Sequence, residues 1–233
     1  MIRKFFVFII VWKIFTTCCF FAACPLVAEW YSGRADRLDA GGKPDGALAS
    51  YKKAATLNPF NARYRAEEGR LYLKMGRLSP KKEAFEKARS LYARAVVLSP
   101  MNAKYRLGLG EAQALLLLNK RDIPKVELAD CVDTFRTAVA LDPNNYYVNA
   151  FSGYYILLFS KKLDDKDRNF AIYRLRHALE LNPDYANQIF SYVANGLGDF
   201  KALEKITPKT AAWQERLRNF LRNIDQWKYK ARS

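Results

Sequence analysis

Histidine and cysteine are almost absent from this chain. His177 is the single histidine, and of the four cysteines Cys18, Cys19 and Cys24 lie in an apolar leader, which leaves Cys131 alone beyond it. One thiol cannot close an internal disulfide there, so no disulfide framework supports the fold or reveals its compartment. One imidazole and one thiolate are too few for a zinc site, and a histidine-dependent triad would need partners that no local motif supplies. The chain also has no Walker loop, no dinucleotide fingerprint and no HExxH helix. An enzyme, a metal centre, a cofactor and a small-molecule substrate are therefore not expected. Acid is scarce too: 23 Asp and Glu stand against 39 Lys and Arg, a formal charge of +16. Such a balance favours anionic partners, among them nucleic acid, phospholipid headgroups, acidic polymers and acidic protein faces, and it also describes a plain solvated basic face. Half of the 233 residues are apolar, which is the profile of a folded protein of one elongated or two small domains.

Residues 1–28 read as a hydrophobic anchor or signal segment. From Phe5 to Ala28 the run carries one charge, Lys13. As a helix it would reach about 36 Å, enough for a hydrocarbon core of about 30 Å, with the Lys13 stem snorkelling toward the basic end. Arg3 and Lys4 precede the run and predict a single N-terminal pass with the remainder on the extracytoplasmic (periplasmic) side. Two other readings stay open. The sequence "FAAC", residues 21–24, resembles a bacterial lipoprotein box with Cys24 as the lipidated residue, and "LVA", residues 26–28, reads as a signal-peptidase site. All three place the following domain outside the cytoplasm.

Beyond the leader the chain repeats itself. Leu57, Leu98, Leu141 and Leu181 each stand two residues before a proline (Pro59, Pro100, Pro143, Pro183). Five before come Ala54, Ala95, Ala138 and Ala178; eight before, Tyr51, Tyr92, Phe135 and Leu175; twelve before, Ala47, Ala88, Cys131 and Ala171. Ten residues after the first three prolines stand Gly69, Gly110 and Gly153. Spacings of four and three put the columns twelve, eight and five before the proline on one helix face, where small residues admit a neighbouring helix and the large one fills the gap. The proline ends the helix by driving the residue before it out of the α region. Each unit is thus a helical hairpin that must stack on copies of itself to bury its face. Ser79 before Pro80 and Asp164 before Asp167 are expected to cap the second helices of their hairpins.

These columns resemble the tetratricopeptide repeat (TPR), with a small residue at its eighth position, alanines at the twentieth and twenty-seventh, an aromatic at the twenty-fourth and proline at the thirty-second. The resemblance implies an all-α, right-handed superhelical solenoid: a repeat domain over 29–208 with units 28–61, 62–102, 103–145 and 146–185, and a degenerate fifth over 186–208. Proline intervals of 41, 43 and 40 exceed the family's 34-residue period, and Arg65, Arg106 and Asn149 replace its usual fourth-position aromatic. Residues 209–233 form a C-terminal capping helix and basic tail, with Trp213, Leu217, Phe220, Leu221, Ile224 and Trp227 on one stripe. The last part of the chain is also similar to repeat tails of bacterial polysaccharide polymerase and O-antigen-ligase-like proteins, on a "GD…AL…TP" segment.

In the TPR family the first helix of each hairpin lines a concave groove. By that correspondence the groove takes Glu29, Ser32 and Asp36, then Arg63, Arg70 and Lys74, then Lys104, Leu107 and Glu111, then Tyr147, Tyr154 and Leu158. The candidate partner-binding residues are Arg63, Arg70, Lys74, Lys104, Glu111, Tyr147 and Tyr154, suited to an extended peptide with negative groups and an apolar anchor. One of Tyr154 and Tyr155 is expected in the core. Family members that clamp a C-terminal carboxylate use Lys and Asn where Ser32 and Asp36 stand, so that role is not expected. The function that follows is a membrane-tethered, non-catalytic scaffold or adaptor for protein partners of a cell-envelope assembly; the alternative is direct binding of an anionic polymer, exported polysaccharide or nucleic acid, on the basic surface.

Overall fold

The computed structural model describes the backbone of residues 2–197 and 201–230, and the side chains of 12–13, 23–197 and 201–224. Among the described residues there are helices and no strand. In chain order they are α1 (Ile2–Ala40), α2 (Pro44–Leu57), α3 (Ala62–Leu78), α4 (Lys82–Leu98), α5 (Ala103–Leu118), α6 (Lys125–Leu141), α7 (Tyr146–Leu157), α8 (Asp165–Leu181), α9 (Ala186–Leu197), α10 (Lys201–Ile206) and α11 (Ala211–Lys230). They fall into two compact units, Met1–Pro100 and Met101–Ser233. The first unit contains the hairpins α1–α2 and α3–α4. The second contains α5–α6, α7–α8 and the short α9–α10, followed by α11.

The prolines act as their sterics require. Asn58, Ser99, Asp142 and Asn182, each directly before a repeat proline, have φ between −136 and −144° and ψ between 73 and 87°, outside the α region, and each ends its helix. Two residues after the first three prolines an asparagine restarts the chain. Asn61 accepts the Arg63 N–H, Asn102 those of Lys104 and Tyr105, and Asn145 those of Tyr147 and Val148. The fourth proline opens a 3₁₀ turn over Pro183–Tyr185 instead. Asp164 caps α8 by accepting the Asp167 N–H at 2.8 Å. Ser79 does not cap α4. Pro80 holds it extended at φ −136°, ψ 94°, so it closes α3, and α4 starts from Lys81 with no side-chain cap.

The columns meet across each hairpin. Ala47 and Ala54, Ala88 and Ala95, Cys131 and Ala138, Ala171 and Ala178 are all buried, with Tyr51, Tyr92, Phe135 and Leu175 between them. A Cβ at Gly69 would lie 2.9 Å from the Tyr92 ring, and one at Gly110 would lie 2.8 Å from the Phe135 ring. In α3, α5 and α7 the column glycine is therefore the seat for the large residue of the following helix, an approach that any side chain would block. The leucine column is less uniform. Leu57 and Leu141 pack against buried clusters, whereas Leu98 and Leu181, on the last turns of α4 and α8, stay exposed.

Helix α1 runs without a break from Ile2 through Pro25 to Ala40, and its last turns form the first helix of the first hairpin. Most side chains of the expected anchor, 5–28, lie outside the described residues; among the described residues no helix is long and apolar enough to cross a membrane. In the second unit, Leu217 and Phe220 of α11 are buried, and Trp213, Leu221 and Ile224 pack half-buried on the same core. Trp227, the last member of that stripe, lies outside the described side chains.

Candidate functional site

In the first unit the first helices, α1 and α3, are joined by charge. Arg63 contacts Asp36 at 3.0 Å and Glu29 at 3.9 Å. Arg70 reaches Asp39 at 2.7 Å and Glu67 at 2.6 Å, and Lys74 also reaches Asp39 at 2.7 Å. The Tyr51 hydroxyl donates to Asp36, and the Tyr64 hydroxyl donates to Glu29 at 2.7 Å. Burial, reinforced by the Glu29 carboxylate, pushes the Tyr64 phenol up to about 12. The ammonium group of Lys74 is the largest cause holding the Asp39 carboxyl below its ordinary range, with Arg70 adding to it against the opposing effect of burial. All three cations expected in the groove thus carry carboxylate partners, most of them on α1. Each cation remains close to half exposed, so the pairs contribute about 0–1 kcal/mol apiece. Ser32 is fully buried, its hydroxyl without a hydrogen-bond partner among the described residues.

In the second unit the equivalent face is aromatic. Tyr147, 43 % exposed, lies 4.4 Å from Phe151 between ring centroids, and Phe151 lies 5.6 Å from Tyr192 of α9. Tyr154 is half-buried, 5.9 Å from Tyr192 and 5.1 Å from Tyr155, and lies so close to Gly196 that a Cβ there would fall 2.7 Å from its ring. Gln188 donates to the Tyr192 hydroxyl at 3.0 Å. Tyr155 is the core member of the Tyr154–Tyr155 pair: buried, stacked 5.9 Å from Phe135, and donating at 2.8 Å to Glu111, itself only 6 % exposed. Lys104 is exposed at the start of α5, and Leu107 is buried.

The structure therefore brings Tyr147 and Tyr154 together with two residues the sequence reading left out. Phe151 had a legible signal, standing four residues after Tyr147 and three before Tyr154, on one helix face. Tyr192 had none, because it comes from the shortened fifth hairpin, where the repeat columns fade. Asp39 was also missed, although it follows Asp36 by three residues on the same face of α1. Cys24 is half-buried within α1 and carries no disulfide. Among the described residues no cluster of three or more His, Cys, Asp or Glu could hold a metal ion.

No protein-family model matches the chain, and no curated protein matches it in sequence. Solved structures do. TTC0263, a thermophilic TPR protein of Thermus thermophilus, is 19 % identical with a TM-score of 0.59, over 83 % of this chain and 98 % of that one. MamA is 16 % identical with a TM-score of 0.54, over 88 % and 94 %. YrrB, described as a TPR protein with an unusual peptide-binding site, is 19 % identical with a TM-score of 0.50, over 82 % and 84 %. One further likeness is to an enzyme, the Thermobaculum terrenum O-GlcNAc transferase, of which only 27 % is covered. At these identities the likeness concerns the fold. The chain has the TPR fold of stacked helical hairpins.

Proposed function

We propose that this protein is a non-catalytic interaction scaffold that holds an extended segment of a partner protein on the first-helix face of its second unit. The observation that carries this reading is the strip of Tyr147, Phe151, Tyr192 and Tyr154, four rings each in contact with the next, two of them more than a third exposed. Rings locked by one another present large contact area at small entropic cost, and tyrosine adds a hydroxyl for the partner's backbone. Lys104, exposed on α5, suits an acidic group on the same segment. In the first unit Arg63, Arg70 and Lys74 are engaged by carboxylates, so they serve a ligand only by releasing Glu29, Asp36 or Asp39. The peptide-binding site described for YrrB, a protein of this fold, lends the reading support. The apolar run over 5–28 supports tethering to a membrane with the repeat hairpins on its extracytoplasmic side, as part of a cell-envelope assembly.

The test is photo-crosslinking in intact cells from a reactive phenylalanine analogue placed at Tyr147 or Tyr192, with mass spectrometry of both the adducts and the mature N-terminus. A defined set of protein adducts that persists at high salt is expected, with an intact leader. Adducts with polysaccharide or nucleic acid that vanish as salt rises would replace this reading with the polyanion one. A chain beginning at a lipidated Cys24, or at Glu29, would keep the scaffold and change the tether.

A further inference from the structure

The end of the first unit from which the apolar run departs is itself apolar. Glu29 meets Tyr64, and further along Asp39 meets Arg70 and Lys74, so α1 and α3 run in the same direction. Gly69 lies against Tyr92 and Gly76 against Phe85, so α4 runs back and finishes level with the start of α3. The stretch of α1 from Leu26 to Trp30, the α2–α3 turn and the last turn of α4 therefore share one end of this unit. Phe60, in that turn, is 82 % exposed, and Leu26, Val27, Trp30, Val97 and Leu98 are exposed with it. The turn is closed by the Asn61 N–H, which donates to the Asn58 carbonyl at 3.3 Å. Phe60 precedes Tyr64 by four residues, which sets it about 5 Å nearer the apolar run, close to the level of Leu26. Cations stand over neighbouring rings: Arg34 lies 5.8 Å from the Trp30 centroid, and the Lys53 ammonium lies 5.4 Å from that of Tyr31. Glu29, between these groups along α1, is held by the Tyr64 hydroxyl and by Arg63.

We propose that this end of the first unit is a phospholipid-contact surface, with Phe60 inserted among the headgroups beside the spanning run. The inference rests on the reading that the run over 5–28 crosses a membrane, and it names what else in the chain touches that membrane. A single exposed apolar residue on a protein surface carries no such meaning, but these gather where the apolar run ends. Helix α1 is unbroken from Ile2 to Ala40, so the end of the unit that the run leaves is the end that faces the bilayer. The chemistry fits a bilayer interface: aromatic rings at headgroup level, with Arg34 and Lys53 beside them to meet lipid phosphates. Attachment through both the run and Phe60 holds the unit against the membrane, where a lone tether would let it swing.

The experiment reconstitutes the full-length chain in vesicles of phosphatidylethanolamine and phosphatidylglycerol, with p-benzoylphenylalanine placed singly at the Trp12, Phe60 or Leu78 site. Phospholipid adducts are read by mass spectrometry after irradiation. Trp12 reports on the spanning run. Leu78 is the control, 80 % exposed at the end of α3, the opposite end of its hairpin. Expected is lipid labelling from the Trp12 site and from the Phe60 site, the latter severalfold above the Leu78 site. Labelling from the Trp12 site with equal background from the other two would overturn the lipid contact and leave the tether standing. No lipid labelling from the Trp12 site would remove the tether, and the contact with it. Adducts from the Phe60 site that join two copies of the chain, in place of lipid, would assign this face to self-association and overturn the proposal.

Discussion

Replacing Gly153 with alanine tests the hairpin crossing at which the backbone of the neighbouring helix itself stands against a glycine. A Cβ at this position would lie 2.7 Å from the Ala171 carbonyl oxygen and 2.8 Å from Leu175 Cγ, both on α8. The carbonyl is backbone and cannot swing aside, so α7 and α8 must part by about half an ångström or more to restore ordinary contact. Overpacking of this kind costs about 1–3 kcal/mol, and the rigid neighbour places it at the upper end. Alanine returns about 1 kcal/mol of helix propensity. The net expectation for Gly153→Ala is a loss of about 2 kcal/mol, read as a fall of roughly 5–8 °C in Tm or a lower urea midpoint by circular dichroism at 222 nm. Gly33→Ala is the control. Gly33 is also in a helix, but the nearest atom to its added Cβ is Arg37 Nη1 at 3.8 Å, so this variant is expected to gain about 0.5–1 kcal/mol. If Gly153→Ala stabilises the chain as Gly33→Ala does, the close crossing of α7 and α8 is wrong.

Asn145→Ala removes the acceptor of the Tyr147 and Val148 N–H groups at the start of α7 and is expected to cost about 1 kcal/mol in urea unfolding, with Asn145→Asp nearly neutral. The Asp39 carboxyl titrates below its ordinary value in the folded chain, so its contribution is present above the unfolded pKa and disappears as pH falls through the folded one. Asp39→Asn should therefore destabilise at pH 6 and lose that deficit progressively as pH falls below the ordinary carboxylate range; a deficit unchanged with pH would deny the Arg70 and Lys74 pairing. Burial pushes the Cys131 thiol up to about 12, and its Sγ lies 3.7 Å from the Gly110 carbonyl. At pH 8 Cys131 should resist iodoacetamide in the native protein and react in 6 M guanidinium chloride; fast native labelling would contradict its burial.

The hairpins and their seams were legible in the sequence because the interactions that set them recur at fixed spacings. A proline acts on the residue directly before it, and positions three and four apart share a helix face, so the Ala47, Tyr51 and Ala54 face and the breaks at Asn58, Ser99, Asp142 and Asn182 could be read without coordinates. Gly69, Gly110 and Gly153 belong to the same class, since their partners are repeat columns too. Capping was read unevenly. Asp164 was legible, while Ser79 was diverted by its own following proline, and the asparagines at 61, 102 and 145 passed unread.

What each exposed side chain does was decided by tertiary structure. The sequence identifies Arg63, Arg70 and Lys74 as basic residues on one helix, but Asp36 and Asp39 neutralise them only because α1 stacks beside α3 at a particular height. Tyr192 joins Tyr147, Phe151 and Tyr154 across two helices that no repeat column links. Arg176 reaches the Lys205 carbonyl of α10 only because the two helices pack together, whereas Arg174, on the same helix, lies against rings of α8 itself, Phe170 and Tyr173. Local spacing determines which face of a helix is buried; the rotation and offset between stacked helices, set by how all their side chains pack at once, determine which charges and rings on the remaining faces find one another.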